Sequence, residues 1–571
     1  MTEREDIRII RKRSWIQFLL ISTTLILLSY LVSFLRIRID LTEEKRYTLS
    51  GVTHNILRDV KNDIYIQVYL DGEIPVPLKR LKRSVREMLD EFRIASRRKI
   101  DYEFINPAGT RDAAQREAHF KALYDKGLNP VNIMADDTEG GSTRKIVFPG
   151  MIVNYNGIEV PVNFLKNNSS FSYEQNILNS IESLEYEMIQ TISTLSSDTV
   201  YKVAFIEGHG EIPEIEVADI TFNLARFFTI DRGVPGGRPG ILDDYAAIII
   251  AGPEKEFSEA DKFVIDQYIM NGGRALWLFE EVDVNADSLA YGRTAALYRP
   301  LNIEDQLFRY GARVNPSVIQ DLECMIIRLT VMTEGVRQQV VQAPWIYYPL
   351  LIPSPGHPVT RHLNRVKGEF TNYIDTVGLD SRIGKSILLY TSSFTRTLQP
   401  PFMISLKEAE QVPDEREFNR SNLPVAVLLE GVFPSAFRNR MTTHLHSEKN
   451  LDVKNESVPT KMIVVADGDI IRNEVRRAGN TETPLPLGQD KYTGEVFGNR
   501  DFIINCMNYL VDDNGLMDLR SRELRLRLLD GPGIRKDRKK WQLINLAGPV
   551  LIVILSGTLY GYLRRRLYTK R

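Results

Sequence analysis

Two short acidic strings are the parts of this chain best equipped for chemistry. Glu207-Gly208-His209-Gly210-Glu211 follows one apolar run directly, and Ala466-Asp467-Gly468-Asp469 follows another. In the first, His209 beside Glu207 and Glu211 has the make-up of a general base with an orienting carboxylate, or of a metal-ligand set. The alternative is a glycine-permitted turn whose polar side chains cap neighbouring backbone. In the second, Asp467 and Asp469 offer a cation two carboxylates where calcium takes six or more oxygens, so a turn is the expected role. Open α/β sheets bind ligands at the carboxyl ends of their strands, where both strings fall. Glu207, His209, Glu211, Asp467 and Asp469 are therefore the candidate ligand-binding residues. No catalytic residue, metal centre or cofactor is assigned.

Three other features invite a chemical reading and fail it. Gly378 to Ser386 (GLDSRIGKS) has the ingredients of a phosphate-cradling loop, but five residues separate its glycines where four are required. Cys324 and Cys506 are the only cysteines, too few for a disulfide framework or a cysteine-based zinc site, and both lie in apolar surroundings that suit small core residues. A nucleophile is also missing. The Phe279-Glu280-Glu281-Val282 turn carries neither Cys nor Ser, and neither cysteine sits on a glycine-flanked elbow. An enzyme is not expected. The rival reading is an anchored hydrolase using His209. A third is a solute receptor, which needs a deep cleft with convergent polar groups.

The elements that must position these residues follow from periodicity. Asn62 to Leu70 alternates as a strand, Leu78 to Ala95 repeats its apolar residues as a helix, and Ile100 to Ile105 is a second strand. Ala113 to Lys126 is helical. Asn132 to Ala135, Lys145 to Tyr155 and Glu159 to Leu165 read as strands, the last two joined by an Asn156-Gly157 hairpin signal, and Tyr173 to Leu195 is a long helix. This order suggests a small thioredoxin-like α/β domain over residues 36–198, without the CxxC that redox chemistry would need. A second domain, residues 199–530, opens with the strand Lys202 to Ile206, the helix Glu216 to Phe228 and the strand Ala246 to Ala251. The helix Ser258 to Asn271, with Ser258 as N-cap, and the strand Arg274 to Phe279 follow. Such apolar strands imply a parallel sheet covered on both faces, which Leu423 to Leu429 and Lys461 to Ala466 extend in kind; Asn499 to Leu510 is a helix. Val331 to Pro358, rich in Pro and aromatics, reads as an ordered surface excursion. Lys407 to Ser421 and His444 to Thr460 read as polar loops, and Leu516 to Leu529 as a charged amphipathic helix.

Both ends of the chain are apolar. Trp15 to Leu35 and Leu543 to Leu563 carry no charge, and at 1.5 Å per residue each reaches about 31 Å, enough for a bilayer core of roughly 30 Å. Arg4, Arg8, Arg11, Lys12 and Arg13 precede the first stretch, so the positive-inside rule places the N-terminus in the cytoplasm. Two spans return the C-terminus to that side. The expected layout is a cytoplasmic tail (1–14), a span (15–35), the two extracytoplasmic α/β domains, a basic linker (531–542), a span (543–563) and a cytoplasmic tail (564–571). The chain's 571 residues, 26% of them charged with a net charge of −1, have globular composition and give no case for nucleic-acid binding.

Several strings also carry a family likeness. They are KRYTLS (45–50), NPAG (106–109), NSIESLEYEMI (179–189), EGHGE (207–211), DKFVIDQYIMNGG (261–273), APWIYYPLL (343–351), TKMIVVADGD (460–469) and the long run from Phe497 to Asp530. In that order they resemble the GldG family, the gliding-motility-associated auxiliary or substrate-binding components of ABC transporters. The resemblance implies an inner-membrane protein whose partners are a separate permease subunit, a separate cytoplasmic ATPase subunit and the lipid bilayer. It also implies an amidotransferase-like module at Val200 to Val282 of the non-catalytic kind found in ABC auxiliary proteins and in an intraflagellar-transport subunit. It supplies no catalytic residue and no transported substrate.

Overall fold

The computed structural model describes residues 2–34, 48–110, 112–136, 142–166, 168, 171–197, 200–333, 337–378, 381–440, 452–479, 481–491, 493–521 and 536–568. They form a mixed α/β molecule with one compact unit spanning Met1–Arg522 and a second spanning Glu523–Arg571.

A four-stranded sheet comes first. Its strands are β1 (Ile64–Val68), β2 (Ile100–Phe104), β5 (Gly150–Tyr155) and β6 (Ile158–Asn163), in the order β2-β1-β5-β6. β1 and β2 run parallel, whereas β5 opposes β1 and β6 opposes β5. Ile64, Ile66 and Val68 alternate inward from β1 as period two demands. Helix α3 (Val76–Ala95) covers them with Leu78, Leu81, Val85, Leu89 and Phe92, a stripe at three- and four-residue spacing. Its start follows from Pro75 and Pro77, whose ring geometry suits a first helical turn. The long helix α5 (Tyr173–Ser196), capped by Ser172, packs along α3. Asn156 and Gly157 turn the β5–β6 hairpin at φ +52° and +85°, conformations that the Asn-Gly pair tolerates best. The run Lys145 to Tyr155 is two strands rather than one. Pro149, which has no N–H for a ladder, separates β5 from β4 (Ser142–Val147), and β4 pairs with β3 (Val131–Asp136) in a separate hairpin.

The second sheet holds the candidate residues. β8 (Thr229–Gly233), β7 (Lys202–Ile206), β9 (Ala247–Ala251), β10 (Ala275–Leu278) and the strand Thr460–Val465 lie side by side and all parallel. Beyond Thr460–Val465 the direction changes. Pro424–Gly431 runs antiparallel to it, Ile383–Tyr390 antiparallel to that, and the hairpin of Cys324–Thr333 with Arg337–Pro353 finishes the edge. The sheet is mixed, so Leu423 to Leu429 is not a parallel strand of the same kind as Lys461 to Ala466. An apolar run reports burial on both faces and carries no information about direction. Helix α7 (Glu259–Met270) covers one face through Val264, Ile265, Tyr268 and Ile269. On the other face lie α6 (Ala218–Leu224) and the helix Asn499–Val511, through Ile220, Leu224, Phe502, Ile503 and Met507. Alternate residues of β10 serve the two cores: Trp277 with α7, Leu276 and Leu278 with the opposite helices.

Several element boundaries differ from expectation. The helix expected over Glu216 to Phe228 is a 3-10 turn (Glu214–Val217) followed by the seven residues of α6. Much of the Pro-rich excursion is the 17-residue strand Arg337–Pro353. Two 3-10 turns, Leu406–Glu410 and Glu415–Glu417, punctuate the first polar loop. Of the charged helix expected from Leu516, Met517–Ser521 is a 3-10 turn; residues 522–529, with Leu35, residues 45–47 and 444–451, lie outside the described residues.

At the chain ends, one helix runs Thr2–Phe34 and another Arg538–Tyr568, the latter continuous through Pro549. The Arg538–Arg566 stretch is long and apolar enough to cross a membrane. The apolar part of the first helix, counted over described side chains, is the shorter Trp15–Tyr30.

Candidate functional site

Because β7, β9, β10 and Thr460–Val465 are parallel, the EGHGE string, Gly252-Pro253, Glu280-Glu281 and the ADGD string emerge together at one sheet edge. Glycine permits the crowding there. A Cβ on Gly468 would stand 2.9 Å from the Gly252 Cα and 2.8 Å from Glu280 Oε2, and one on Gly252 would stand 2.8 Å from Ile212.

The EGHGE side chains do not converge on one point. Glu207 leaves the turn and accepts from Arg232 Nε at 2.7 Å. His209 folds inward. Its Nδ1 lies 3.0 Å from Glu211 Oε1 and its Nε2 3.3 Å from Asp261 Oδ2, and Phe257 stacks on the ring with centroids 3.7 Å apart. The backbone closes the same knot: the His209 N–H donates to Glu211 Oε2, and the His209 carbonyl accepts from Glu254 and Lys255. Asp261 is itself held by the Ser258 hydroxyl at 2.8 Å and the Gly237 N–H at 2.8 Å. His209 is 4% exposed and both ring nitrogens are taken. Burial works against its charged form, but the hydrogen bonds and charges of Glu211 and Asp261 outweigh that and raise its pKa above the ordinary 6.5. An imidazolium clamped between two carboxylates has no free lone pair with which to abstract a proton.

The ADGD string is equally occupied. Asp467 is wholly buried; Oδ2 accepts from the Glu369 N–H at 2.9 Å and the Thr371 hydroxyl at 2.5 Å, and Oδ1 accepts from the Asp469 N–H at 2.9 Å. Asp469 pairs with Arg472, which also reaches Glu216 at 3.2 Å. Glu280 accepts from the Gly468 N–H at 2.7 Å and pairs with Arg299 at 3.1 Å, and Lys367 pairs with Glu369 at 2.6 Å. Burial, then the charge of Asp469, pushes Asp467 far above the carboxylate range. Burial also lifts Asp469 to about 7 against the pull of Arg472. Glu369 stays low because Lys367 and Arg472 overcome its burial. The result is a closed network of buried carboxylates, two cations and backbone donors. Among the described residues no three His, Cys, Asp or Glu side chains are grouped to hold a metal ion.

Neither cysteine offers a thiolate. Burial, with the charge of Asp321, lifts Cys324 to about 12, and Cys506 is fully buried and raised as well; both are free thiols. Lys385, from the phosphate-loop look-alike, lies on the strand Ile383–Tyr390 and donates to the carbonyls of Val377 and Gly378, so it is spent on its own turn.

Sequence reasoning missed the partners that decide these roles: Asp261, Phe257, Glu280, Lys367, Glu369, Thr371 and Arg472. Asp261 stands 52 residues from His209, and Thr371 stands 96 from Asp467. Only the Ser258 cap, which also holds Asp261, left a local signal.

The carboxyl edge of this mixed sheet is closed by side chains that bond one another and the backbone. Comparison with known proteins places the chain further. Residues 201–506 match the model of the ABC-type uncharacterized transport system family, the ABC transporter auxiliary proteins; the match covers more than half of the chain, and the chain belongs to that family. Residues 43–154 match a domain of unknown function, DUF7088. An uncharacterized protein of Borreliella burgdorferi is 22% identical over 436 residues, 72% of this chain and 76% of its own length. Among solved structures, the mmIFT52 N-terminal domain aligns with a TM-score of 0.31 and 12% identity, over 55% of this chain and 98% of that one.

Proposed function

We propose that this protein is a membrane-anchored, extracytoplasmic and non-catalytic auxiliary subunit of an ABC transport complex, working beside a permease subunit and a cytoplasmic ATPase in gliding motility. Membership of the ABC auxiliary family supports the transport setting. The non-catalytic role rests on one observation above all: His209, the residue best suited to act as a base, is spent on Glu211 and Asp261 beneath Phe257. In this reading Glu207, His209, Glu211, Asp467 and Asp469 shape loops that present a binding surface to partners.

The proposed layout keeps two spans, Trp15–Leu35 and Leu543–Leu563, with both termini cytoplasmic. Between them come a thioredoxin-like domain (36–198) and an amidotransferase-like domain (199–530). The strand order β2-β1-β5-β6, with β2 parallel and β5 antiparallel to β1, supports the first, and the parallel half of the large sheet supports the second. The apolar Arg538–Arg566 helix supports anchoring.

The test is purification of the tagged full-length chain in mild detergent. A permease and an ATPase are expected to accompany it, and reporter fusions at both termini are expected to read cytoplasmic. A chain that runs alone, in cells whose gliding does not depend on it, contradicts the proposal. The hydrolase alternative predicts ester or amide hydrolysis that His209→Ala abolishes without loss of folding.

A further inference from the structure

A cavity of about 140 Å³ lies away from the sealed edge, between α5, α6 and the helix Asn499–Val511. Its volume is about ten times the room one ordered water needs, which suits a small solute. Its polar lining is unevenly matched. Lys166 is neutralised by Glu187 at 2.5 Å. Arg520 lies over the Tyr186 ring at 5.3 Å and is held by the Asn505 side chain and, at 2.9 Å, the Arg361 carbonyl, both uncharged acceptors. Arg226 stands exposed at the rim, where its guanidinium donates to the Pro161 carbonyl at 3.1 Å. Among the described residues neither Arg226 nor Arg520 has a carboxylate within ion-pair distance. Asn508 Nδ2 is buried in the wall without an acceptor. Asp501 is the one lining carboxylate besides Glu187.

The geometry points to a binding site for a small oxyanion, a carboxylate or a phosphoryl group, held between Arg226 and Arg520 and accepting a hydrogen bond from Asn508. Guanidinium forks match both groups and gain most where water is scarce, and a buried amide N–H is a standing demand for an acceptor. The site has a mechanical consequence. Arg520 belongs to the 3-10 turn Met517–Ser521, just before the stretch of sequence that leads to the apolar C-terminal helix. An occupant would fasten that turn to α5 and α6. The inference does not depend on the transport reading and can fail while that reading stands.

The experiment is calorimetric titration of the full-length protein in mild detergent with inorganic phosphate and, separately, with succinate. At least one anion is expected to bind with a Kd near or below about 1 mM. Arg226→Gln and Asn508→Leu are each expected to weaken binding at least about tenfold, at unchanged melting temperature in the absence of anion for the exposed Arg226→Gln. Hydrogen exchange across residues 517–521 is expected to slow on saturation. Phosphate bound and succinate refused identifies a phosphoryl ligand; the converse identifies a carboxylate. Binding of neither at about 10 mM, or an affinity that either variant leaves unchanged, overturns the assignment.

Discussion

His209 shows how the same side chain changes meaning with its neighbours. Between two glycines on a strand end it has the credentials of a base; between Glu211 and Asp261 it is a charged rivet. Removing it leaves two enclosed carboxylates without their cation, so His209→Ala is expected to cost about 3–5 kcal/mol in the thermal or urea unfolding of the full-length protein. The sign with pH follows. The folded pKa is raised, so the stabilisation is complete below about pH 6.5 and fades as pH climbs through the higher folded value. Glu281 works in the same direction by another route. It is 3% exposed, and burial, with the charge of Glu304, lifts its carboxyl to about 8. From about pH 4.5 to 8 the unfolded chain has lost that proton and the folded chain keeps it, so stability falls as pH rises across the window. Glu281→Gln is expected to shrink the drop in melting temperature between pH 5 and pH 8; a drop as large as in the parent protein removes this account.

At the scale of elements, the site depends on how closely strand ends approach and how firmly helix starts are fixed. The loops after β9 and after Thr460–Val465 touch through Gly252 and Gly468, where no side chain fits. Gly468→Val is expected to destabilise by about 1–3 kcal/mol through this overlap and to loosen the Glu280 contact, read by unfolding and by faster amide exchange at residue 468. Ser258 caps α7 and also steadies Asp261, so Ser258→Ala is expected to cost about 1–2 kcal/mol, toward the upper end for a cap. Local signals named the start of this helix correctly, because a cap acts within a turn. They failed at Pro149, where one long apolar run became two strands in different sheets, and at α6, where a 3-10 turn precedes a helix that ends at Leu224.

The whole molecule is a question of which parts must share a solvent. The Arg538–Tyr568 helix exposes Leu551, Ile552, Val553 and Leu555, whereas the described α/β body hides its apolar residues in two-sided cores. Deleting residues 538–571 alone is expected to leave the protein in the detergent-extracted fraction, held by Trp15–Leu35, and deleting residues 1–35 as well is expected to release it to the aqueous fraction; release by the first deletion alone contradicts the two-span layout. The same division explains what could be read early. Composition, the uncharged terminal stretches, the order of strands and helices and the candidate strings were legible in the sequence, since each depends on neighbours a few residues away. Strand direction in the second half of the large sheet, the fate of His209 and the cavity beside Asn508 were decided only by the tertiary structure. Each depends on groups tens or hundreds of residues apart, and a chain's local pattern records that a group is buried, not what it meets there.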